Sequence, residues 1–125
     1  MLHRIMWLAL AGAAGTLARY ALAGWVHRVN GSYFPWGTLA VNAAGCFLAG
    51  FLWAVFEHRW QVSGETRTII LVGFFGAFTT FSAFILESGE LFRAAEWFAA
   101  VKNITFQNGL GFLALFAGTV LGRLL

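Results

Sequence analysis

Apolar residues dominate four long stretches of this chain, and polar residues cluster in the short segments between them. The stretches cover about residues 5–26, 37–56, 69–86 and 104–121. Each is close to the roughly 20 apolar residues that a helix needs to cross a bilayer. The pattern predicts an all-α, multi-pass membrane protein whose residues 1–125 form a single domain of four transmembrane helices.

The first apolar stretch lies near the N-terminus and looks like a signal peptide. Its apolar character continues as far as Val26, so the sequence predicts a retained first span rather than a cleaved leader. Aromatic residues near the ends of the predicted spans are typical of a membrane interface. These residues are Trp25, Tyr33, Trp36, Trp60 and Trp97.

The composition supports the membrane class and excludes several functions. Hydrophobic residues make up 60% of the chain and charged residues 10%, against about 25% charged residues in soluble domains. The net charge of +3 comes from scattered basic residues, whereas nucleic-acid binders carry a dense basic patch. No zinc motif, phosphate loop or nucleophile–base pair is present, so the chain is predicted not to be an enzyme.

The basic residues are divided almost evenly between the two predicted sides of the membrane. One side carries four of them and the other side three: Arg4, Arg59, Arg67 and Arg123, against Arg28, Arg93 and Lys102. A clear excess on one side is what fixes the orientation of a membrane protein. We therefore hypothesise that the chain inserts both ways and pairs as an antiparallel homodimer.

Polar residues occur inside the first two spans, where lipid disfavours them. Arg19 either snorkels to the interface or attracts an anion. In the second span Thr38, Asn42, Gly45 and Ala49 follow helical spacing and share one face. That face either joins helices or lines a pore, with the Asn42 amide as a hydrogen-bond donor.

The third span contains the run GFFGAFTTFSAF at residues 73–84. Gly76 relaxes a helix, and the hydroxyl groups of Thr79, Thr80 and Ser82 can bond to the backbone, so a break near the middle is predicted. Broken backbone at this depth must be buried in protein or line a cavity. Its carbonyl groups can coordinate a small cation such as Na⁺.

Two phenylalanines follow the predicted break. Phe81 and Phe84 are three residues apart and share a helix face, which is compatible with ordinary packing. A phenyl ring also has a positive edge that can meet an anion.

The fourth span begins with a polar segment and ends with a pair of glycines. Thr105, Asn108 and Gly109 point toward one side of a regular helix, and Gln107 points elsewhere. A second feature is the G-x-x-x-G pair Gly118 and Gly122, which favours close contact with another helix.

No acidic residue is expected within a span, because Glu57 and Glu87 lie at predicted span ends. Proton-coupled carriers usually hold a carboxylate inside a span. This placement disfavours a carrier.

The chain resembles the Fluc family of small fluoride channels, also called CrcB, over essentially its whole length. The resemblance rests on GTLARY at residues 15–20, WGTLAVN at 36–42 with Gly45, and the run at 73–84. It implies a dual-topology antiparallel homodimer in the plasma membrane of a prokaryote, the inner membrane in a Gram-negative cell. It also implies passive, selective efflux of fluoride that protects the cell after HF has leaked in.

The resemblance further implies roles for individual residues. The rings of Phe81 and Phe84 would line the pores, Asn42 would face a pore and Arg19 a vestibule. Main-chain carbonyl groups of Gly76 and Thr79 would hold a structural Na⁺ at the dimer interface. The remaining residues near the fluoride path would be Thr80, Ser82 and Glu87.

The chain departs from the family pattern at two places. Ala77 stands where a second glycine is common, and Asn103 and Gln107 stand where a tyrosine and a serine are common. Thr105, Gln107 and Asn108 are therefore all candidates for the polar track of the fourth span.

Two other functions compete with a channel. A small dual-topology exporter of hydrophobic cations would need a buried carboxylate in the first span, where this chain has Arg19. A non-conducting structural subunit would explain the small-residue faces. It would not explain Arg19, Asn42 and the Thr79–Thr80 pair together.

Overall fold

Four long helical segments, each long and apolar enough to cross a membrane, make up the computed structural model, which describes residues Met1–Leu125. The first is α1 (Leu2–Asn30), the second α2 (Trp36–His58) and the last α6 (Trp97–Leu124). The third comprises α3 (Gly64–Thr68), a π-helical segment (Ile69–Phe75), α4 (Gly76–Phe78) and, after a break, α5 (Phe81–Arg93). No strand is present, so the predicted all-α, four-span architecture is confirmed.

All four helical segments are longer than the predicted spans, because polar residues at their ends continue the helices. The first connection starts at Gly31, which has φ +79° and ends α1 in a conformation that glycine adopts without strain. The second connection starts at Arg59 and ends at Ser63, whose hydroxyl accepts a hydrogen bond from the Thr66 amide. Short connections place consecutive segments antiparallel to one another.

Glycines bring α2 and α6 into backbone contact. A Cβ atom at Gly118 would overlap the carbonyl group of Phe47, and one at Gly122 would overlap that of Phe51. On the other helix, a Cβ atom at Gly50 would overlap the carbonyl of Leu115. The G-x-x-x-G pair therefore packs closely against α2, as its spacing predicts.

The helix α1 packs against the first half of the third span. Gly15 lies against the backbone of Phe74 and Phe78, where a Cβ atom would overlap the Phe74 carbonyl. Gly73 lies in turn against the Cβ atom of Ala11. The second half of the third span packs on α6 instead, so the break separates two packing environments.

The predicted break is confirmed, and it lies at Thr79 and Thr80. Both residues are extended, with φ/ψ of −82°/159° and −149°/112°. Gly76 itself is helical at −62°/−31°. The Thr79 hydroxyl donates to the Phe75 carbonyl at 2.9 Å, and the Thr80 hydroxyl accepts from the Ala83 amide at 3.2 Å. Threonine side chains thus cap both broken ends, and glycine flexibility is not used there.

Candidate functional site

The Asn42 side chain bridges α2 to the broken third span. Its Oδ1 accepts from the Thr80 amide at 2.8 Å, and its Nδ2 donates to the Thr80 carbonyl at 3.0 Å. A backbone amide can only donate and a carbonyl can only accept, so this pairing fixes which end of the Asn42 amide is which. Asn42 replaces the helical hydrogen bonds that Thr80 has lost.

Gln107 extends this hydrogen-bonded row onto α6. Asn42 Nδ2 also donates to Gln107 Oε1 at 3.0 Å. Because Asn42 can only donate here, the Gln107 atom that faces it must be oxygen. Gln107 Nε2 is consequently buried with no hydrogen-bond partner. The Thr80 backbone therefore fixes the orientation of a free N–H donor on α6.

A second buried amide lies one helical turn before Gln107. Asn103 has no exposed surface, and its Nδ2 donates to the Ser88 hydroxyl at 3.0 Å. Ser88 itself donates to the Phe84 carbonyl at 2.8 Å, which leaves only its oxygen for Asn103. Asn103 Oδ1 is buried without a partner. Asn103 and Gln107, here called the α6 amide row, thus present an unpaired acceptor and an unpaired donor.

The α6 amide row answers the question that the sequence left open in the fourth span. Gln107 faces the protein interior, whereas Thr105 and Asn108 are exposed on the opposite side of the helix. The Asn108 amide donates only to the Ile104 carbonyl of its own helix, at 2.7 Å. Helical spacing separated the two sides correctly, but it could not tell which side faces α2.

Glu87 lies on a helix that is longer than the predicted third span. That span ends at Leu86, but α5 continues to Arg93. The Glu87 side chain is half-buried; Oε1 accepts from the Thr38 hydroxyl at 2.6 Å, and Oε2 is buried without a partner. Glu87 thus lies inside a helix, one residue after the predicted apolar span ends at Leu86.

Phe81 and Phe84 form an edge-to-face pair with very different exposure. Their ring centroids are 5.6 Å apart at an interplanar angle of 66°. Phe84 is 6% exposed and Phe81 is 73% exposed. The edge-to-face arrangement is the preferred one for aromatic rings, and it leaves the Phe81 ring uncovered within one protomer.

Arg19 lies away from the amide row, on the wall of an open cleft of about 1220 Å³. The cleft also reaches Thr80, Glu87 and Thr38, so it connects Arg19 to the broken span. Ser82 is exposed next to it, with its hydroxyl 3.4 Å from that of Thr80. Arg19, Thr80 and Glu87 thus line the cleft, and Asn42 and Gln107 form the amide contact, so the two sets meet at Thr80.

The backbone around the break has carbonyl groups that a cation can use. The Thr80 amide donates to Asn42 rather than to the Gly76 carbonyl, which releases that carbonyl from the helical pattern. Gly76 is exposed, and nothing lies within 4 Å of where its Cβ would be. Thr79 is extended at the break. Main-chain oxygens of this kind suit Na⁺, so the residues present fit such an ion.

The Ser88–Asn103 contact was not predicted from the sequence. The signal that could have found it is spacing, because Ser88 follows Phe84 by one helical turn and Asn103 precedes Gln107 by one turn. Each therefore shares a helix face with a residue that the sequence had already singled out.

Comparison with known proteins gives consistent matches over the whole chain. A family model described as "CrcB-like protein, Camphor Resistance (CrcB)" matches residues 6–119. A relative from Desulforapulum autotrophicum is 64% identical over 125 residues, which is 100% of both chains. Relatives from Solidesulfovibrio magneticus and Nitrosococcus oceani are 54% and 47% identical, again over 100% of both chains. All three relatives are named "Fluoride-specific ion channel FluC".

Proposed function

This chain belongs to the CrcB family, and on that premise we propose that it is a fluoride-selective channel through which fluoride leaves the cell passively. Its relatives are named as ion channels and not as enzymes. The four spans make it a multi-pass membrane protein. Its place is the plasma membrane of a prokaryote, where efflux protects the cell from fluoride that has entered as HF.

The observation that carries the proposal is the free donor on Gln107. Its Nε2 is buried and has no partner in the protein, and an unpaired donor in a membrane interior is unfavourable. A small anion such as fluoride satisfies it directly. The neighbouring Asn103 Oδ1 is an acceptor, so it suits a water molecule that stays on the ion.

Several weaker contacts complete the path. The edges of the Phe81 and Phe84 rings and the hydroxyl groups of Thr80 and Ser82 offer positive polarity without a full charge. Arg19 raises the potential in the cleft that leads to Thr80. A set of moderate contacts suits conduction, because one tight site would hold the ion.

The complete pore requires a second copy of the chain. Phe81 is 73% exposed and Ser82 is also exposed in one protomer. One side of the proposed path is therefore left uncovered by a single copy. An antiparallel homodimer surrounded by lipid supplies the missing wall, and the even distribution of basic residues allows both insertions. Fluoride is the only substrate that the relatives' names mention.

A structural Na⁺ at the dimer interface would be held by the carbonyl oxygens of Gly76 and Thr79. When bound, the ion supplies positive charge and joins the two copies at the broken spans. Exchange of Na⁺ for a bulky organic cation during purification is expected to weaken the dimer, as measured by light scattering. An equally stable dimer in both salts would contradict this role.

The proposed function is tested by purified protein in liposomes, with fluoride and chloride efflux followed by ion-selective electrodes. Rapid fluoride efflux with chloride efflux no faster than from empty vesicles is expected. Absence of passive fluoride flux would remove the proposal.

Glu87 gives a specific reason to keep a carrier as the second candidate. Its half-buried carboxylate, with Oε2 unpaired, lies on the wall of the large cleft, as an exchange site would. A carrier of hydrophobic cations would accumulate ethidium in the same liposomes when an imposed pH gradient drives proton exchange, and it would not release fluoride.

A further inference from the structure

Lys102 is surrounded by three aromatic rings near the beginning of α6. Its Nζ lies 4.7 Å from the ring centroid of Phe34, 4.9 Å from that of Trp36 and 5.5 Å from that of Phe106. Phe34 is buried, and the Phe34 and Trp36 rings touch at 4.6 Å between centroids. Negative ring faces attract an ammonium group, so these rings, here called the Lys102 cage, hold its charge in one place.

The charge of Lys102 is held but not neutralised. No carboxylate lies within ion-pair distance of its Nζ. The nearby acid Glu96 accepts a hydrogen bond from the Tyr33 hydroxyl instead. The Lys102 side chain is half-buried, whereas Arg28 and Arg93 at the same end of the molecule are exposed.

The position of Lys102 relates this charge to the α6 amide row. It directly precedes Asn103, and helical side chains lean toward the N-terminus of their helix. Lys102 therefore lies at the N-terminal end of the row, with its ammonium group over the ring of Phe34 in the first connection. An anion moving along the row from Gln107 to Asn103 meets this positive charge next.

We propose that Lys102 is an electrostatic positioning residue for fluoride, which concentrates the anion at the N-terminal end of the α6 amide row. The inference rests on the proposed channel function. The Lys102 cage fixes the ammonium beside the path and keeps it from pairing with an acid. A fixed cation beside a low-dielectric path raises the local concentration of an anion, and the effect falls as ionic strength rises.

The test is fluoride efflux from liposomes at two ionic strengths set with an impermeant anion such as gluconate. At about 0.01 M the Debye length is about 30 Å, and at about 1 M it is about 3 Å. Lys102→Met is expected to lower efflux roughly 10-fold at low ionic strength, the small end of electrostatic steering effects, and to match the wild type at high ionic strength. Lys102→Arg is expected to retain most of the wild-type rate at both.

Arg93→Met is the matched control, because it removes an exposed cation from the same end of the molecule. Its effect on efflux is expected to be smaller than that of Lys102→Met. If Lys102→Met does not assemble, Lys102→Gln gives the same comparison with a more polar side chain.

The outcomes separate this inference from the channel proposal. Wild-type protein without fluoride efflux would remove the channel proposal itself. If the wild type releases fluoride and Lys102→Met loses the same fraction of that efflux at both ionic strengths, the electrostatic role is overturned. Lys102 would then contribute only to packing. Unchanged efflux in Lys102→Met would overturn it as well.

Discussion

The backbone differs between two regions of the protein. It stays helical where α2 contacts α6, and it leaves the helix in the third span. In the contact, Gly50, Gly118 and Gly122 let two intact helices touch. In the third span, Thr79 and Thr80 leave the helix, and the Asn42 amide takes over the hydrogen bonds of Thr80. One region keeps its helices intact, and the other opens its backbone to side chains.

A small protein can hold polar groups in a membrane by combining these two arrangements. The closely packed helices carry the two amides that the break depends on, Asn42 on α2 and Gln107 on α6. Glycine contacts set the register of these helices, and the register places Gln107 against Asn42. Rigid packing in one region therefore fixes a free donor beside the other.

The largest effect is expected where the close contact is broken by one methyl group. Gly118→Ala should destabilise the protein by about 3 kcal/mol, because its Cβ would overlap the Phe47 carbonyl and overpacking typically costs about 1–3 kcal/mol, occasionally more. Gly109→Ala in the same helix should stabilise by about 1 kcal/mol through helix propensity, since nothing lies near its Cβ. Thermal unfolding in detergent, followed by size-exclusion chromatography, measures both. Equal stability of the two variants would contradict the packing account.

The next effect concerns the bridge between the two regions. Asn42→Leu leaves the Thr80 amide, the Thr80 carbonyl and Gln107 Oε1 without their partner. The expected loss is about 3 kcal/mol, since each unpaired buried group costs about 1–3 kcal/mol.

Asn108→Leu is the control for the bridge, because Asn108 is exposed and donates only to its own helix. It should leave the unfolding temperature nearly unchanged. A stable Asn42→Leu protein, with the break still protected from hydrogen exchange at Thr80, would contradict the role of Asn42.

A smaller and more informative effect comes from the two phenylalanines. Phe81→Ile and Phe84→Ile should each lower fluoride efflux while the dimer remains assembled. Only Phe84→Ile should also destabilise the protein, by about 0.5–3 kcal/mol, because Phe84 is buried and Phe81 is not. Efflux in liposomes and thermal unfolding separate the two effects. Wild-type efflux in both variants would mean that the two rings only pack and do not contribute to conduction.

The smallest effect is expected outside the spans, where Tyr33 donates a 2.6 Å hydrogen bond to Glu96. This bond, together with desolvation and the negative charge of Glu96, raises the pKa of the Tyr33 hydroxyl. A raised pKa stabilises the fold below the unfolded value of about 10, and the contribution is lost as pH rises through the folded pKa. Tyr33→Phe should be slightly less stable than the wild type at neutral pH and equal to it at strongly alkaline pH. A gap in unfolding temperature that persists there would contradict this assignment.

The sequence predicts the features that depend on local chemistry. Four spans follow from apolar length, the break from adjacent hydroxyl residues in the third span, and close packing of α6 from the spacing of Gly118 and Gly122. The side of α6 that carries the polar row could not be predicted. A helical wheel separates Gln107 from Thr105, but only the contact with α2 decides which of them is buried.

Two further differences have the same origin. The break lies at Thr80 and not at Gly76 because Asn42, which is distant in sequence, accepts the Thr80 amide. Glu87 lies within a helix because α5 continues to Arg93 through residues of mixed polarity. Both depend on tertiary contacts or on helix length beyond the apolar stretch, which periodicity alone does not report.

Fluoride efflux from liposomes that contain Gln107→Leu, compared with the wild type, tests whether the unpaired Gln107 donor binds the ion on its path. Leucine removes the free donor and keeps a similar volume. The account predicts an assembled dimer whose fluoride efflux is lower by about tenfold or more, since a hydrogen bond to a charged group is worth about 1.5–3 kcal/mol and about 1.4 kcal/mol is tenfold. Wild-type fluoride efflux from an assembled Gln107→Leu dimer would contradict it.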